Sequence, residues 1–270
     1  MVRRATSTPR GAACKHPTLS DLPMTTLPPL VLVHGAWAGA WAWGRVLGAL
    51  RAAGHPVYAV TLTGCGERRH LLRAGISLQT HIADVVGLCE SEELSDVVLV
   101  GHSYAGLVIT GAADALLTRG GHRLRQLVYV DAMLPLPGEC WSSRHPEAVR
   151  TERAAAAAAS GLNALPPPDP SGFGLAGPDR EWLLRRQGPH PFGAYLEPLH
   201  FDGPRVATVP RAFIDCIDPP YPTITPMRQR ARELPGFTVV EMKTGHYPQI
   251  QAPGAFVDCL LGIVRSARPA

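Results

Sequence analysis

The chain lacks several features, and each absence removes a class of function. No apolar run approaches the ~18 residues that span a membrane as a helix, so no membrane partner is expected. Arg3 and Arg4 have no apolar stretch behind them, so a secretory signal is not expected either. The cysteines at 14, 65, 89, 140, 216 and 259 are scattered, with no C-x-x-C pair. That pattern reads as buried free thiols in a reducing cytoplasm rather than disulfides or zinc ligands. There is no H-E-x-x-H and no clustered Cys/His set, so neither a metal nor another cofactor is expected. No internal repeat is visible. A basic face is missing too: of the formal +4 charge, +3 lies in residues 1–29 (Arg3, Arg4, Arg10 and Lys15 against Asp21). The remaining body is nearly neutral, and nucleic acid is not an expected partner.

What is present is one large core. At 270 residues and 46% hydrophobic, the chain is of ordinary size for a single α/β domain. Residues 1–26, rich in Pro, Thr and Ser, read as a disordered extension, and "MTTLPPLVLVHG" from Met24 would itself serve as a start. Strands are expected at 30–33, 57–61, 97–100, 127–131, 212–216 and 238–242. Helical patterns lie between them at 44–53, 78–89, 105–118, 227–234 and 253–264. The alternation predicts a doubly wound, mostly parallel sheet with helices on both faces. Ligands of such sheets bind at the carboxyl ends of the strands. Residues 135–205 break the alternation: Pro- and Gly-rich, they still carry Trp141, Phe173, Trp182, Phe192, Tyr195 and Phe201. They are too long for a plain loop and too apolar for a linker. An inserted cap over a core of 27–134 and 206–270 is the expected organisation.

The chemistry-bearing stretch is "GHSYAG", Gly101 to Gly106, directly behind the apolar run Val97–Val100. A buried strand, a turn of small residues and a following helix leave Ser103 at the tip of a strained turn. This is a nucleophile elbow, with Ala105 where the usual G-x-S-x-G pattern has its second glycine. Behind the first strand, Gly35 and Ala36 in "HGAWAGAWAW" are small enough for close approach to a substrate carbonyl. The backbone N–H of Ala36 and of Tyr104 would then form an oxyanion hole. His246, in "TGHYPQIQAP" after the last strand, stands where the order Ser…acid…His puts the base. The acid has two candidates. Asp131 ends the apolar "LVYVD", where a carboxylate needs a partner to offset its desolvation. Asp218, after "AFIDCI", occupies the more usual place. Asp215 lies inside its strand and reads as structurally paired. Of the other histidines, five have blander readings: His16, His122, His145 and His190 in polar or Pro-rich loops, and His55 in a turn.

Together these residues resemble the α/β-hydrolase superfamily, and within it the branch of small esterases and plant-type hydroxynitrile lyases. "LVLVHGAWAGAWAWGRVLGALRAAGH" is similar to that branch's opening H-G-A-x-H-G-A-W-x-W, with Ala38 in place of the second His. The likeness covers Leu30 to about Leu136 and Val209 to the C-terminus. Plant members place the acid where Asp218 stands, whereas many bacterial relatives carry V-D-A-[FM]-x-P, which "VDAMLP" matches; both aspartates are kept, Asp131 ahead. The lyases of the branch need Thr or Asn where this chain has Gly35, and some use a Lys where it has Tyr247.

The resemblance implies a serine carboxylesterase that forms an acyl-enzyme on Ser103. A lyase on the same scaffold, or a ligand-binding receptor that turns over slowly, is the competing reading. A haloalkane dehalogenase would need Asp at position 103. The expected partner is a small-molecule ester, apolar or aromatic, in a pocket with Gly35, Trp37, Trp141 and Trp182. A homodimer is compatible with the sequence.

Overall fold

In the computed structural model, which describes residues 27–120 and 124–267, the sequence Leu-Val-Leu-Val of β1 (Leu30–Val33) is buried throughout. Side chains alternate across a strand, so Val31 and Val33 enter one apolar core while Leu30 and Leu32 enter another. β3 (Val97–His102) and β4 (Leu124–Val130) divide in the same way. A strand with both faces covered has no use for polar alternation, and hence the unbroken apolar runs.

With β2 (Val57–Val60), β7 (Arg211–Cys216) and β8 (Phe237–Met242) these strands form a six-stranded sheet in the order β2-β1-β3-β4-β7-β8. All its pairings are parallel. Helices α1 (Gly44–Ala52) and α10 (Pro253–Ser266) supply Val46, Leu50, Phe256 and Leu260 to one core. The other face is covered by α2 (Leu78–Ser91), α3 (Ala105–Arg119) and α8 (Thr225–Glu233). The chain reverses its winding between β1 and β3. Segments leaving those neighbouring strands therefore diverge and open a crevice at their carboxyl ends.

Between β4 and β7 the chain forms α4 (Glu147–Ala159), α5 (Gly177–Leu184), α6 (Phe192–Leu196) and α7 (Gly203–Ala207). The short strands β5 (Ala164–Leu165) and β6 (His190–Pro191) pair antiparallel among them. This segment reaches the crevice with Trp141, 5.4 Å from the ring of Trp37, and Phe173, 5.5 Å from that of His246. The six strands lie where the sequence reading put them, with ends shifted by a few residues. The short helices α6, α7 and α9 (Pro248–Gln251) carried no readable period. The extension at 1–26 falls outside the described residues.

Candidate active site

Ser103 follows β3 with φ of 55°, a left-handed conformation that costs a non-glycine residue about 1–2 kcal/mol. Its backbone is held from several sides. The Ser103 N–H donates to Val130 O at 3.2 Å, and its carbonyl accepts from Met133 N at 2.9 Å and Gly106 N at 3.2 Å. The small neighbours are steric requirements. A Cβ on Gly101 would lie 2.8 Å from Ala105 O, and one on Gly106 would lie 1.8 Å from Met133 O. The glycine that the turn demands is therefore Gly106, and Ala105 is tolerated before it.

His246 follows β8. Its Nε2 accepts from Ser103 Oγ at 2.9 Å, and its Nδ1 donates to Asp131 Oδ2 at 2.6 Å. The partners fix the tautomer. The His246 backbone is pinned as well: its N–H donates to Phe173 O at 3.2 Å and its carbonyl accepts from His102 Nε2 at 2.7 Å. Burial, and next the neighbouring His246, push His102 well below the ordinary histidine range, so it serves as a neutral donor. Asp131 is fully buried at the end of β4, with φ of 41°. Its other oxygen, Oδ1, accepts from Arg228 at 2.8 Å.

Ala36 and Tyr104 line the cavity beside Ser103, and among the described residues neither backbone N–H has a hydrogen-bond partner. Trp37, Trp141, Phe173, Tyr221 and Tyr247 complete an aromatic wall, with Met133 among them. The cavity they enclose measures about 10 Å³, close to what one water needs.

Three expected site residues lie elsewhere. Asp218 is exposed and makes no side-chain hydrogen bond among the described residues; its N–H donates to Thr244 O at 3.1 Å. The β7 loop leaves its side chain in water, and Asp131 rather than Asp218 bonds His246. Trp182 packs outside the cavity, 5.2 Å from Trp41 and under Arg45 and Arg186. Its place on α5 directs it to the solvent-side face rather than the crevice. Gly35 lies beneath the nucleophile instead of along the cavity: a Cβ there would sit 2.8 Å from His102 Nδ1 and 2.9 Å from Ser103 Cβ.

Sequence reasoning missed Arg228, one of three arginines at alternate positions in "MRQRAR" with nothing local to single it out. It also missed that His190 is fully buried, against the rings of Tyr104 and Trp141 at 4.8 and 5.6 Å. His145, likewise read as a polar-loop residue, is half-buried beside Tyr195. Asp215 is paired, as expected, with Arg228 and Arg232. The five described cysteines are free thiols, and Cys14 lies outside the described residues.

Known proteins are similar to this chain. A carbendazim hydrolyzing esterase of Nocardioides sp. (strain SG-4G) is 38% identical over 246 residues, covering 86% of this chain and 98% of that protein. Methylesterase 1 of Arabidopsis thaliana is 29% identical over 270 residues, covering 86% and 94%. Among solved structures, an extracellular alpha/beta-hydrolase from a Paenibacillus species has a TM-score of 0.76 at 22% identity, covering 87% of this chain and 98% of its own. A model of the alpha/beta hydrolase family matches residues 30–259. The chain belongs to the alpha/beta hydrolase family, and within it to the esterase branch.

Proposed function

We propose that the protein is a serine carboxylesterase acting on small apolar or aromatic esters through an acyl-enzyme on Ser103. The observation that carries this reading is the unbroken relay from Ser103 Oγ through His246 to Asp131. His246 Nε2 takes the proton as Ser103 Oγ attacks the ester carbonyl. The negative oxygen forms between the Ala36 and Tyr104 N–H groups, which have no other partner among the described residues. The C–O bond to the alcohol then breaks, and the alcohol leaves with the proton from His246. Water, deprotonated by the same nitrogen, hydrolyses the acyl-enzyme to free acid and regenerates Ser103. Asp131 holds the imidazole in the required tautomer and offsets the imidazolium charge. Residues 135–205 act as the cap that selects the ester, through Trp141 and Phe173.

Packing at Gly35 argues against the lyase reading. The polar residue that lyases of this branch carry there has no room beneath His102 and Ser103. Carbendazim, named for the relative that is 38% identical, is a first candidate substrate.

The test is a panel of p-nitrophenyl and methyl esters with carbendazim among them. An esterase gives a burst followed by turnover, and a lyase or receptor gives none. Ser103→Ala is expected to fold normally and lose roughly 10⁴–10⁶ in kcat. Wild-type turnover in that variant would remove Ser103 as nucleophile and end the reading.

A further inference from the structure

Asp131 is fully buried, and a carboxylate in such a place is costly unless both of its oxygens are satisfied. His246 takes one oxygen; the other faces Arg228 of α8. That arginine is itself buried, and its contacts run in three directions. One terminal nitrogen donates to Asp131 Oδ1 at 2.8 Å and to Cys216 O at 3.1 Å. The other donates to Tyr221 O at 3.0 Å. Nε lies 2.6 Å from Asp215 Oδ1, an ion pair bent too far to count as a hydrogen bond.

Cys216 and Tyr221 bracket the loop that leaves β7, the loop that carries Asp218 into solvent. Tyr221 then returns to the site: its ring is 4.4 Å from that of His246 and 5.4 Å from that of Phe173. One guanidinium thus ties together the carboxylate behind His246, the end of β7 and the aromatic wall over the imidazole. Its planar fork suits this task, since it presents several donors in fixed directions.

The geometry assigns Arg228 as the positioning residue of the relay, holding the Asp131 carboxylate in register with His246 and the Tyr221 wall against the imidazole. The assignment rests on the reading of Asp131 as the relay's acid. Arg228 touches neither ester nor reacting atoms and acts through Asp131 and Tyr221.

Charge gives it a second effect. The groups around the relay are Arg228 and Arg232 from α8, Asp215 and Cys216 from β7, and Glu241 from β8, which reaches the cluster through Arg232. His102 comes from β3, and Tyr221 and Tyr247 face the imidazole ring. Without Arg228 the relay loses the positive charge that lies 2.8 Å from Asp131 Oδ1 and opposes an added proton. Whichever of Asp131 and His246 takes the proton, the relay is disabled at a higher pH than before.

The experiment measures kcat and KM against pH for Arg228→Gln, Arg228→Lys and Asp131→Asn on one activated ester, with melting temperatures alongside. Arg228→Gln is expected to lose roughly 10–100-fold in kcat, with the acidic limb of kcat/KM moved up by about one pH unit. Arg228→Lys keeps the charge but not the fork. It is expected to lose about tenfold in kcat, the limb staying in place. A folded Arg228→Gln enzyme with the wild-type profile overturns the assignment. So does a uniform loss at every pH that tracks the melting temperature, the mark of a purely structural role. If Arg228→Gln does not fold, Arg228→Lys decides, and wild-type kcat there overturns the assignment. Asp131→Asn at wild-type rate would instead sink the acid itself, a separate failure.

Discussion

The loops that leave β4 and β7 begin alike, each carrying an aspartate just beyond an apolar strand, and they end in opposite surroundings. Asp131 comes directly after Val130, fully buried, its backbone N–H bonded to Ile214 O at 2.8 Å. Asp218 comes two residues beyond Cys216, exposed and followed by Pro219 and Pro220. A carboxylate in water exchanges partners freely and fixes nothing. One in a dry site, 2.6 Å from an imidazole nitrogen, sets both its tautomer and its direction. What separates the two loops is the second partner. Arg228 offsets the buried charge of Asp131 and donates hydrogen bonds to backbone carbonyls at both ends of the β7 loop. The loop that could have delivered the acid instead helps to hold the residue that supports it.

The largest effect is expected at Asp131→Asn. An amide beside Nδ1 favours the wrong imidazole tautomer, and the expected loss is on the order of 10²–10⁴ in kcat with the fold retained. Steady-state kinetics on an activated ester, with circular dichroism as the control, decide it. Near-wild-type activity would transfer the role away from β4.

The dryness of the site floor makes a prediction about acid stability. Burial pushes both His34 and His81 down to about 4. It holds His102 and His190 well below the ordinary histidine range of about 6.5. These rings are neutral when folded and free to take a proton when unfolded. Their contribution is intact above pH ~6.5 and is lost as pH falls toward 4, at roughly 1.4 kcal/mol per pH unit for each such histidine. Melting temperatures measured from pH 7.5 to 4.5 are expected to hold level and then drop steeply. A flat profile across pH 6.5–4.5 would show that the histidines are hydrated in the folded state.

Trp141 and Trp182 repeat the contrast between buried and outward-facing residues within residues 135–205. Trp141 lines the cavity and packs on Trp37 and Tyr104. Trp182 lies between two arginines on the far side. Trp141→Ala is expected to change kcat/KM by about tenfold, the scale of one or two kcal/mol of lost contact, with an ester-size dependence that a panel would reveal. Trp182→Ala is expected to leave kinetics unchanged and lower stability by about 1 kcal/mol. Equal kinetic effects would place the substrate path on both sides of the segment.

The differences between what could be read and what could not have physical roots. Strand positions, the elbow at Ser103 and the placement of His246 were legible because each is written in a short window: an unbroken apolar run, a cluster of small residues, a histidine behind the last strand. Met133, whose backbone forbids any side chain on Gly106, is a contact between segments distant in sequence. So is Arg228, 97 residues from Asp131. The choice between Asp131 and Asp218 belonged to the same class, since burial and partners are decided by the packing of α8 against β7. Residues 135–205 were harder still. Their short helices and two-residue strands carry no period, and the side on which Trp182 falls depends on how α5 docks.

The smallest effect is expected at Asp218→Asn. The side chain is exposed and makes no hydrogen bond among the described residues, and its backbone N–H to Thr244 O survives the substitution. Surface changes of this kind are usually within ±0.5 kcal/mol. Activity is expected within about twofold of wild type, and the melting temperature within a degree or two. Were the β7 loop to swing inward when the aromatic wall opens for substrate, Asp218 would approach His246, and the Asn variant would lose kcat without losing stability. A drop of tenfold or more, with Asp131→Asn also impaired, would mean that the two carboxylates serve different states of the enzyme. Equal rates for wild type and Asp218→Asn across the ester panel, large substrates included, would leave Asp131 as the acid in closed and open forms alike.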